Sequence, residues 1–348
     1  MTNAFLSSAC LNKDMYEKIS IIGAGSWGTA LAVLLSESST AVCLWGRRPA
    51  LMAELVNRRF NSTYLPGLKL PSNIYATYRL ADALDARLIF VVTPSKAIRE
   101  VVGQMVMLGV PPQSILVSCV KGIEYDTGML MSDVLANCLP RNPLAVLSGP
   151  NHAAEVAQKC PAAAVIGSAN EEVLQELQRK LLLPSFRLYT SEDVRGIQLG
   201  GALKNVFAIA AGVSDGFRMG SNAKAALITR ALAEMIRLGI ALGGHLETFY
   251  GLSGIGDLMV TCFSCHSRNR AIGERIGRGE FPDIIQRSMK MIAEGIPAAR
   301  SARQLALRHG VDAPILEAVY QVLYEGKAPY SALWELLGRR PRPESDPV

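Results

Sequence analysis

Residues 19–31 read ISIIGAGSWGTAL, an apolar run that breaks into glycines spaced G-x-G-x-x-G and resumes as an apolar helix-forming segment. Few chains can accommodate this pattern except as a buried strand, a tight turn and the start of a helix, which is the setting of a dinucleotide-binding fingerprint. Gly23 lets the chain turn, Gly25 places no side chain between backbone and pyrophosphate, and Gly28 lets the new helix pack against the strand it follows. The N-terminus of that helix offers N–H groups and a partial positive charge to phosphates. The pattern predicts an α/β domain of Rossmann type, with a doubly wound, mostly parallel sheet.

The next apolar run, Ala41 to Trp45, predicts the second strand of the unit. A carboxylate usually follows such a strand to hold the adenosine ribose, but here the chain continues Gly46-Arg47-Arg48. A carboxylate would repel a 2′-phosphate, whereas arginine grips it with a bidentate fork. This favours NADP(H), or use of both NADP(H) and NAD(H); solvated loop charges are the alternative.

Further short apolar runs at 88–92, 115–120, 144–147, 162–166 and 186–189 alternate with helical segments. The alternation predicts helices on both faces of the sheet, with ligands beyond the C-terminal strand ends. The residues there are Thr93-Pro94-Ser95, Lys121-Gly122 and Ser148-Gly149-Pro150-Asn151. From residue 192 long helical segments take over, so the expected division is a dinucleotide-binding domain at 17–191 and an all-helical substrate domain at 192–340. The stretch from Gly196 to Val213 is apolar apart from Gln198, Lys204 and Asn205, which suits a buried helix better than a membrane span. Burial of Lys204 would lower its proton affinity into a range useful for acid–base work; the alternative is a lysine snorkelling to solvent. Ser267-Arg268-Asn269-Arg270 at the start of a helix would suit a phosphate ester, or would be an ordinary cap with exposed arginines.

A chain of 348 residues with 49% hydrophobic content can bury more than one core. Its net charge of +6 is scattered, which fits an anionic small molecule and gives no basic stripe for nucleic acid. Residues 1–15 lack the pattern of a secretory signal, so the expected setting is the cytoplasm. Seven cysteines, an odd number, agree with reduced thiols. Cys262-Phe263-Ser264-Cys265-His266 matches the C-x-x-C-H spacing of haem attachment, but with four histidines in the chain and no second ligand pair we read it as coincidence, with no metal.

Taken together, GAGSWGTAL at 23–31, LWGR at 44–47, KGIE at 121–124, LSGP at 147–150, QLGGALKNV at 198–206 and SRNR at 267–270 closely resemble the bacterial NAD(P)-dependent glycerol-3-phosphate dehydrogenases. The resemblance spans residues 17–340 and leaves Met15 as an alternative start. It implies interconversion of sn-glycerol 3-phosphate and dihydroxyacetone phosphate, serving phospholipid synthesis, with a homodimer compatible. It implies that Lys204 is the proton acceptor and that Lys121 touches both substrate and cofactor. Gly149, Asn151, Asp257, Ser267, Arg268 and Asn269 would line the substrate. Ser26, Trp27, Arg47, Arg48, Ala153, Arg268, Ile292 and Glu294 would contact the dinucleotide. The family often carries Thr at the position of Asn151 and Tyr or Phe at that of Trp27. The competing readings are a β-hydroxyacid or ketopantoate reductase, which has no need of a Ser-Arg-Asn phosphate cluster, and a regulator that only senses NAD(P), which has no use for Lys204.

Overall fold

The structure, a computed structural model, describes residues 15–289, 292–341 and 343–344. Ten strands lie before residue 192: β1 (Tyr16–Ile22), β2 (Ser39–Trp45), β3 (Phe60–Asn61), β4 (Leu65–Lys69), β5 (Ile74–Thr77), β6 (Leu88–Val91), β7 (Ile115–Ser118), β8 (Leu144–Ser148), β9 (Ala162–Gly167) and β10 (Phe186–Ser191). Eight of them form one sheet in the order β10-β9-β8-β7-β6-β1-β2-β5. All neighbours are parallel except β8 and β9, which run antiparallel.

The alternation of side chains along the central strands explains why these runs are largely apolar. Ile19, Ile21, Phe90 and Val117 enter the core on one face, while Ile22, Ile89, Val91 and Leu116 enter the core on the other. A parallel strand buried on both faces has no polar positions to spare. The covering helices are α1 (Ser26–Leu35), α2 (Pro49–Arg58), α3 (Ile98–Leu108), α4 (Met131–Cys138), α5 (Ala153–Ala157) and α6 (Glu171–Lys180). The chain leaves β1 towards β2 and β5, then returns to the other side of β1 through β6. The strand order therefore reverses between β1 and β6, and a crevice opens above their C-terminal ends.

The remaining helices are α7 (Val194–Gly216), α8 (Gly220–Ala241), α9 (Leu246–Phe249), α10 (Asp257–Phe263), α11 (Arg268–Gly277), α12 (Pro282–Ser288), α13 (Gly295–Arg308), α14 (Pro314–Tyr324) and α15 (Pro329–Leu337). A π-turn at Leu252–Gly256 leads into α10. Helix α7 is long and apolar enough to cross a membrane, yet 94% of its most apolar stretch is buried inside the protein. Asp193 caps it, accepting from the Gly196 amide at 2.8 Å, and also accepts from the His245 amide at 2.9 Å and the Thr248 hydroxyl at 2.6 Å. One carboxylate thus fixes the start of α7 and the turn before α9.

Glycines set how deeply α7 sits. A Cβ on Gly212 would fall 2.0 Å from the Arg270 carbonyl oxygen, and one on Gly273 would fall 1.9 Å from that of Ile209. Helices α7 and α11 therefore meet backbone to backbone, which only glycine permits. Replacing Gly273 with alanine must force the helices apart, and overpacking of this kind costs about 1–3 kcal/mol. Gly103 in α3 has no atom within 4 Å of such a Cβ. We expect Gly273→Ala to lower the urea midpoint, and Gly103→Ala to leave it unchanged or raise it by up to about 1 kcal/mol of stability. Equal midpoints for the two variants would refute the close-packed crossing.

Candidate active site

The crevice at the β1/β6 reversal is the sheet side of a cleft of about 1190 Å³. That is more than the roughly 300–1,000 Å³ usual for one small ligand, and leaves room for a dinucleotide with a second molecule. Gly23 has φ +132°, and a Cβ there would sit 2.5 Å from the Val92 carbonyl oxygen. A Cβ on Gly28 would fall 1.8 Å from the Gly23 oxygen, so strand, turn and helix close on one another. Gly25 is the exception: its missing Cβ would point into open space, and no side chain caps α1. A glycine facing an open cleft at an uncapped helix N-terminus is the cradle a pyrophosphate needs, so the residues present fit a dinucleotide.

Ser26, Trp27 and Ala153 line the same wall. The Ser26 hydroxyl donates to the Tyr64 carbonyl at 2.7 Å. Arg47 and Arg48 follow β2, exposed at the rim of the cleft. Arg48 stacks 4.9 Å from the centre of the Tyr64 ring and donates to its hydroxyl at 2.5 Å. Tyr64 comes from the turn between β3 and β4, a small antiparallel pair.

The opposite wall carries the two lysines. Lys204, with its side chain 8% exposed, donates to Asp257 Oδ1 at 2.7 Å and to Thr261 Oγ1 at 2.6 Å. Lys121, beyond the end of β7, donates to Asp257 Oδ2 at 2.6 Å and to the Gly149 carbonyl at 3.0 Å. Asp257, at the start of α10, is 1% exposed and serves both lysines. Their positive charges outweigh its burial and keep its carboxyl below the usual carboxylate range. Burial is the largest influence on Lys204; with Lys121 nearby it outweighs the attraction of Asp257 and brings the ammonium down to about 8. Two of the three tetrahedral positions on Lys204 Nζ are thus committed to Asp257 and Thr261. The third carries a proton when the lysine is charged and a lone pair when it is neutral.

Helix α11 supplies the rest of this wall. Ser267 caps the helix, accepting from the Arg270 amide at 3.2 Å. Arg268 is exposed at the mouth and donates to the Ile292 carbonyl at 2.7 Å. Asn269 donates to Asn205 at 2.8 Å and accepts from the Gly295 amide at 3.0 Å, joining α7, α11 and α13. Glu294 accepts from the Ser95 amide at 3.1 Å and the Ser95 hydroxyl at 2.5 Å. Asn151 donates to the Ala163 carbonyl at 2.9 Å.

The fingerprint residues Gly23, Gly25 and Gly28, together with Ser26, Trp27, Arg47, Arg48, Lys121, Asn151, Ala153, Lys204, Ser267, Arg268, Asn269, Ile292 and Glu294, all line this one cleft. Gly149 and Asp257 do not: they stand behind the lysines and hold them. Met291, which opens the block containing Ile292 and Glu294, lies outside the described residues. Sequence reasoning did not assign Tyr64, Thr261 or Asn205 to the site. Asn205 gave a signal as a polar residue in an apolar helix, and Thr261 as the residue four after Asp257 on one helix face. Tyr64 gave none. The C-x-x-C-H spacing is divided by the fold, with Cys262 buried in the helical core, its thiol pushed up to about 12 by burial, and Cys265 exposed. No cluster of three or more metal-ligating side chains occurs among the described residues.

A phosphate cradle at a sheet reversal, facing a buried lysine of lowered proton affinity across one cleft, defines a pyridine-nucleotide-dependent dehydrogenase in which a nucleotide-binding sheet precedes a helical half. Comparison with known proteins makes this specific. Family models described as NAD-dependent glycerol-3-phosphate dehydrogenase N-terminus and C-terminus match residues 18–174 and 193–334. The chain belongs to the NAD-dependent glycerol-3-phosphate dehydrogenase family. It is 48% identical over 334 residues to the glycerol-3-phosphate dehydrogenase [NAD(P)+] of Geobacter metallireducens, covering 95% of this chain and 99% of the relative. The crystal structure of glycerol-3-phosphate dehydrogenase from Coxiella burnetii matches with a TM-score of 0.89 at 38% identity, covering 93% of this chain and 99% of that one. A ketopantoate reductase from Ralstonia eutropha, at 14% identity and a TM-score of 0.60 over 91% of this chain and 99% of that one, shares the fold alone.

Because Gly25 faces open space, Gly25→Ala is expected to cost less than about 1 kcal/mol of stability while weakening dinucleotide affinity at least tenfold. Thermal melting and fluorescence titration with NADPH separate the two. Unchanged affinity would show that the pyrophosphate does not pass over Gly25.

Proposed function

We propose that this protein interconverts sn-glycerol 3-phosphate and dihydroxyacetone phosphate in the cytoplasm, supplying glycerol 3-phosphate for phospholipid synthesis. The reading is carried by Lys204: a buried amine with two positions bonded, lying in the same cleft as the glycine cradle. The nicotinamide, when bound, exchanges hydride with C2 of the substrate. Neutral Lys204 takes the C2 hydroxyl proton in oxidation, and its ammonium returns that proton to the carbonyl oxygen in reduction. Lys121 places a second positive charge beside the same oxygen, stabilising negative charge as it develops there.

Asp257 and Gly149 hold the lysines in register. Arg268, Ser267, Asn269 and Asn151 form the substrate side, with Arg268 facing the phosphate. Ser26, Trp27, Arg47, Arg48, Ala153, Ile292 and Glu294 hold the dinucleotide. Residues 17–191 act as the dinucleotide-binding domain and 192–340 as the substrate domain, and two copies associate as a homodimer. Support for this assignment comes from the cleft that gathers these side chains, and support for the cytoplasm from the unpaired cysteines among the described residues.

The direct test is oxidation of NADPH and NADH by dihydroxyacetone phosphate, with dihydroxyacetone as control; turnover of the unphosphorylated ketone at an equal rate would contradict the phosphate side. Lys204→Ala should reduce turnover by about 10²–10⁴ and leave dinucleotide affinity within a few-fold, so near-normal turnover would remove Lys204 from the chemistry.

The lowered proton affinity of Lys204 sets the pH dependence. Oxidation needs the neutral amine, so its kcat/KM should rise through about pH 8 and level off above it. Reduction needs the ammonium and should fall over the same range. Asp257→Asn removes the charge that favours the ammonium and should move both limbs towards acid. Limbs that stay in place would identify another group as the acid–base catalyst. Arg47→Asp should raise the KM for NADPH far more than that for NADH, and equal effects would show that Arg47 does not read the 2′-phosphate.

A further inference from the structure

Two of the four histidines in the chain meet inside the cleft, and nothing in the reaction as described uses them. His152 follows Asn151 and stands at the start of α5; His266 immediately precedes Ser267 and Arg268. Their rings touch edge-on, with centroids 5.9 Å apart and planes at 69°. Nε2 of His152 is buried and has no hydrogen-bond partner, while His266 is exposed. A buried polar nitrogen without a partner is a standing penalty in the ligand-free protein, and a ligand that satisfied it would recover that penalty on binding.

The surroundings favour the neutral ring of His152. Burial is the largest influence on His152 and favours the neutral ring, as do Lys204 from α7 and His266 itself. Glu155 on α5 and the carbonyl of Val260 on α10 favour the charged ring, and the balance leaves its proton affinity below that of an ordinary histidine. A largely buried imidazole in contact with another ring and beside a lysine resists a positive charge until an anion arrives. Entry of a phosphate dianion reverses that balance, because each added proton then gains a charge-assisted partner.

We propose that His152 and His266 belong to the substrate's phosphate subsite in the cleft that Arg268 also lines, and that the unpartnered Nε2 of His152 takes up a proton when a phosphate dianion binds. The inference rests on the reading of this cleft as a glycerol-3-phosphate site and adds two specificity-determining residues to it. Anion binding and proton binding are then linked, so affinity for the phosphorylated substrate strengthens as pH falls through the range in which His152 titrates.

The first experiment reads this coupling without turnover. With so few histidines, the C2 proton of His152 can be assigned by its loss in His152→Gln and titrated by NMR in the full-length protein, with and without inorganic phosphate. A rise in its pKa of about one unit, a tenfold coupling, is expected; an unchanged value overturns the proposal. The second experiment is kinetic. The ratio of the KM for dihydroxyacetone phosphate in His152→Gln or His266→Gln to that in the unsubstituted protein cancels the substrate's own ionisation. That ratio should be severalfold larger at pH 6.3 than at pH 8.5, short of the tenfold limit reached only at a pH below both the free and the bound pKa of His152. A ratio equal at the two pH values would mean that the rings only pack, and would overturn the proposal. Failure of the unsubstituted protein to turn over dihydroxyacetone phosphate at any pH would instead count against the functional reading, and the phosphate titration would still decide whether the pair answers to an anion.

Discussion

One buried carboxylate organises the reactive end of this protein. Asp257 holds Lys121, which comes from the sheet, and Lys204, which comes from the central helix of the second half. Taking three ionised groups out of water is expensive, and the arrangement is tolerable only because every oxygen of Asp257 has a partner at hydrogen-bond distance. The three charges sum to one excess positive charge. Burial, with Lys121 nearby, lowers the proton affinity of Lys204 against the pull of Asp257, and the excess positive charge favours an anion in the cleft.

The rest of the helical half is arranged so that this contact can form. Asp257 begins α10 directly after the π-turn, and the backbone of that turn lies against α7 at Gly200, where a Cβ would come within 2.5 Å of the Ser253 oxygen. A Cβ on Gly201 would fall 2.8 Å from the Ser148 hydroxyl oxygen at the end of β8 and 3.4 Å from the Lys121 side chain. Glycines thus bring α7 close enough to the turn and to the sheet for Lys204 and Lys121 to reach one carboxylate. Hydrogen bonds between the halves hold the register: Gln198 pairs with the amide and hydroxyl of Ser132, Glu294 with Ser95, and Ser301 with the Ile123 carbonyl. A proton acceptor on one half and a dinucleotide cradle on the other are useful only in fixed relation, and these bonds span the gap between them.

Much of this was legible in the residues alone, for reasons that differ from element to element. The fingerprint is local chemistry: three glycines, a strand and a helix determine one another within about ten residues, so Gly23, Gly25 and Gly28 could be read directly. Four later strands, β6 to β9, were visible because burial on both faces leaves apolar runs, and β10, at the sheet edge, because Phe186 and Leu188 alternate with exposed Arg187 and Tyr189. The β3–β4 pair and β5 were not, since β4 contains Pro66 and Gly67 and the Tyr75 side chain in β5 is exposed. Such edges are fixed by what they pack against. Lys204 stood out as a cation in an apolar helix, but its partners lie 53 and 57 positions away and no periodicity connects them. Asp257 and Gly149 were expected among the substrate contacts; their place behind the lysines is a matter of depth, which sequence does not encode at this resolution. Met15 begins the described N-terminal part, and the extension before it lies outside the described residues.

The charges around the cleft explain how a protein whose basic residues are scattered can still favour anions strongly at one place. Arg47 and Arg48 stand at the rim after β2, Arg268 at the mouth, and the two lysines on the inner wall. Glu294, which with Glu100 is an acidic residue lining the cleft, accepts hydrogen bonds from the amide and hydroxyl of Ser95, which offset part of its charge. A concave surface with low-dielectric walls focuses such a field, so a modest excess of charge inside it does more than the net charge of the whole chain. A dinucleotide and a phosphate ester are both anions, and each would weaken the field felt by the other. These five cations stand on different parts of the cleft, Arg47 and Arg48 at the rim, Arg268 at the mouth and the lysines on the inner wall, so an anion bound at one end leaves positive charge uncovered at another.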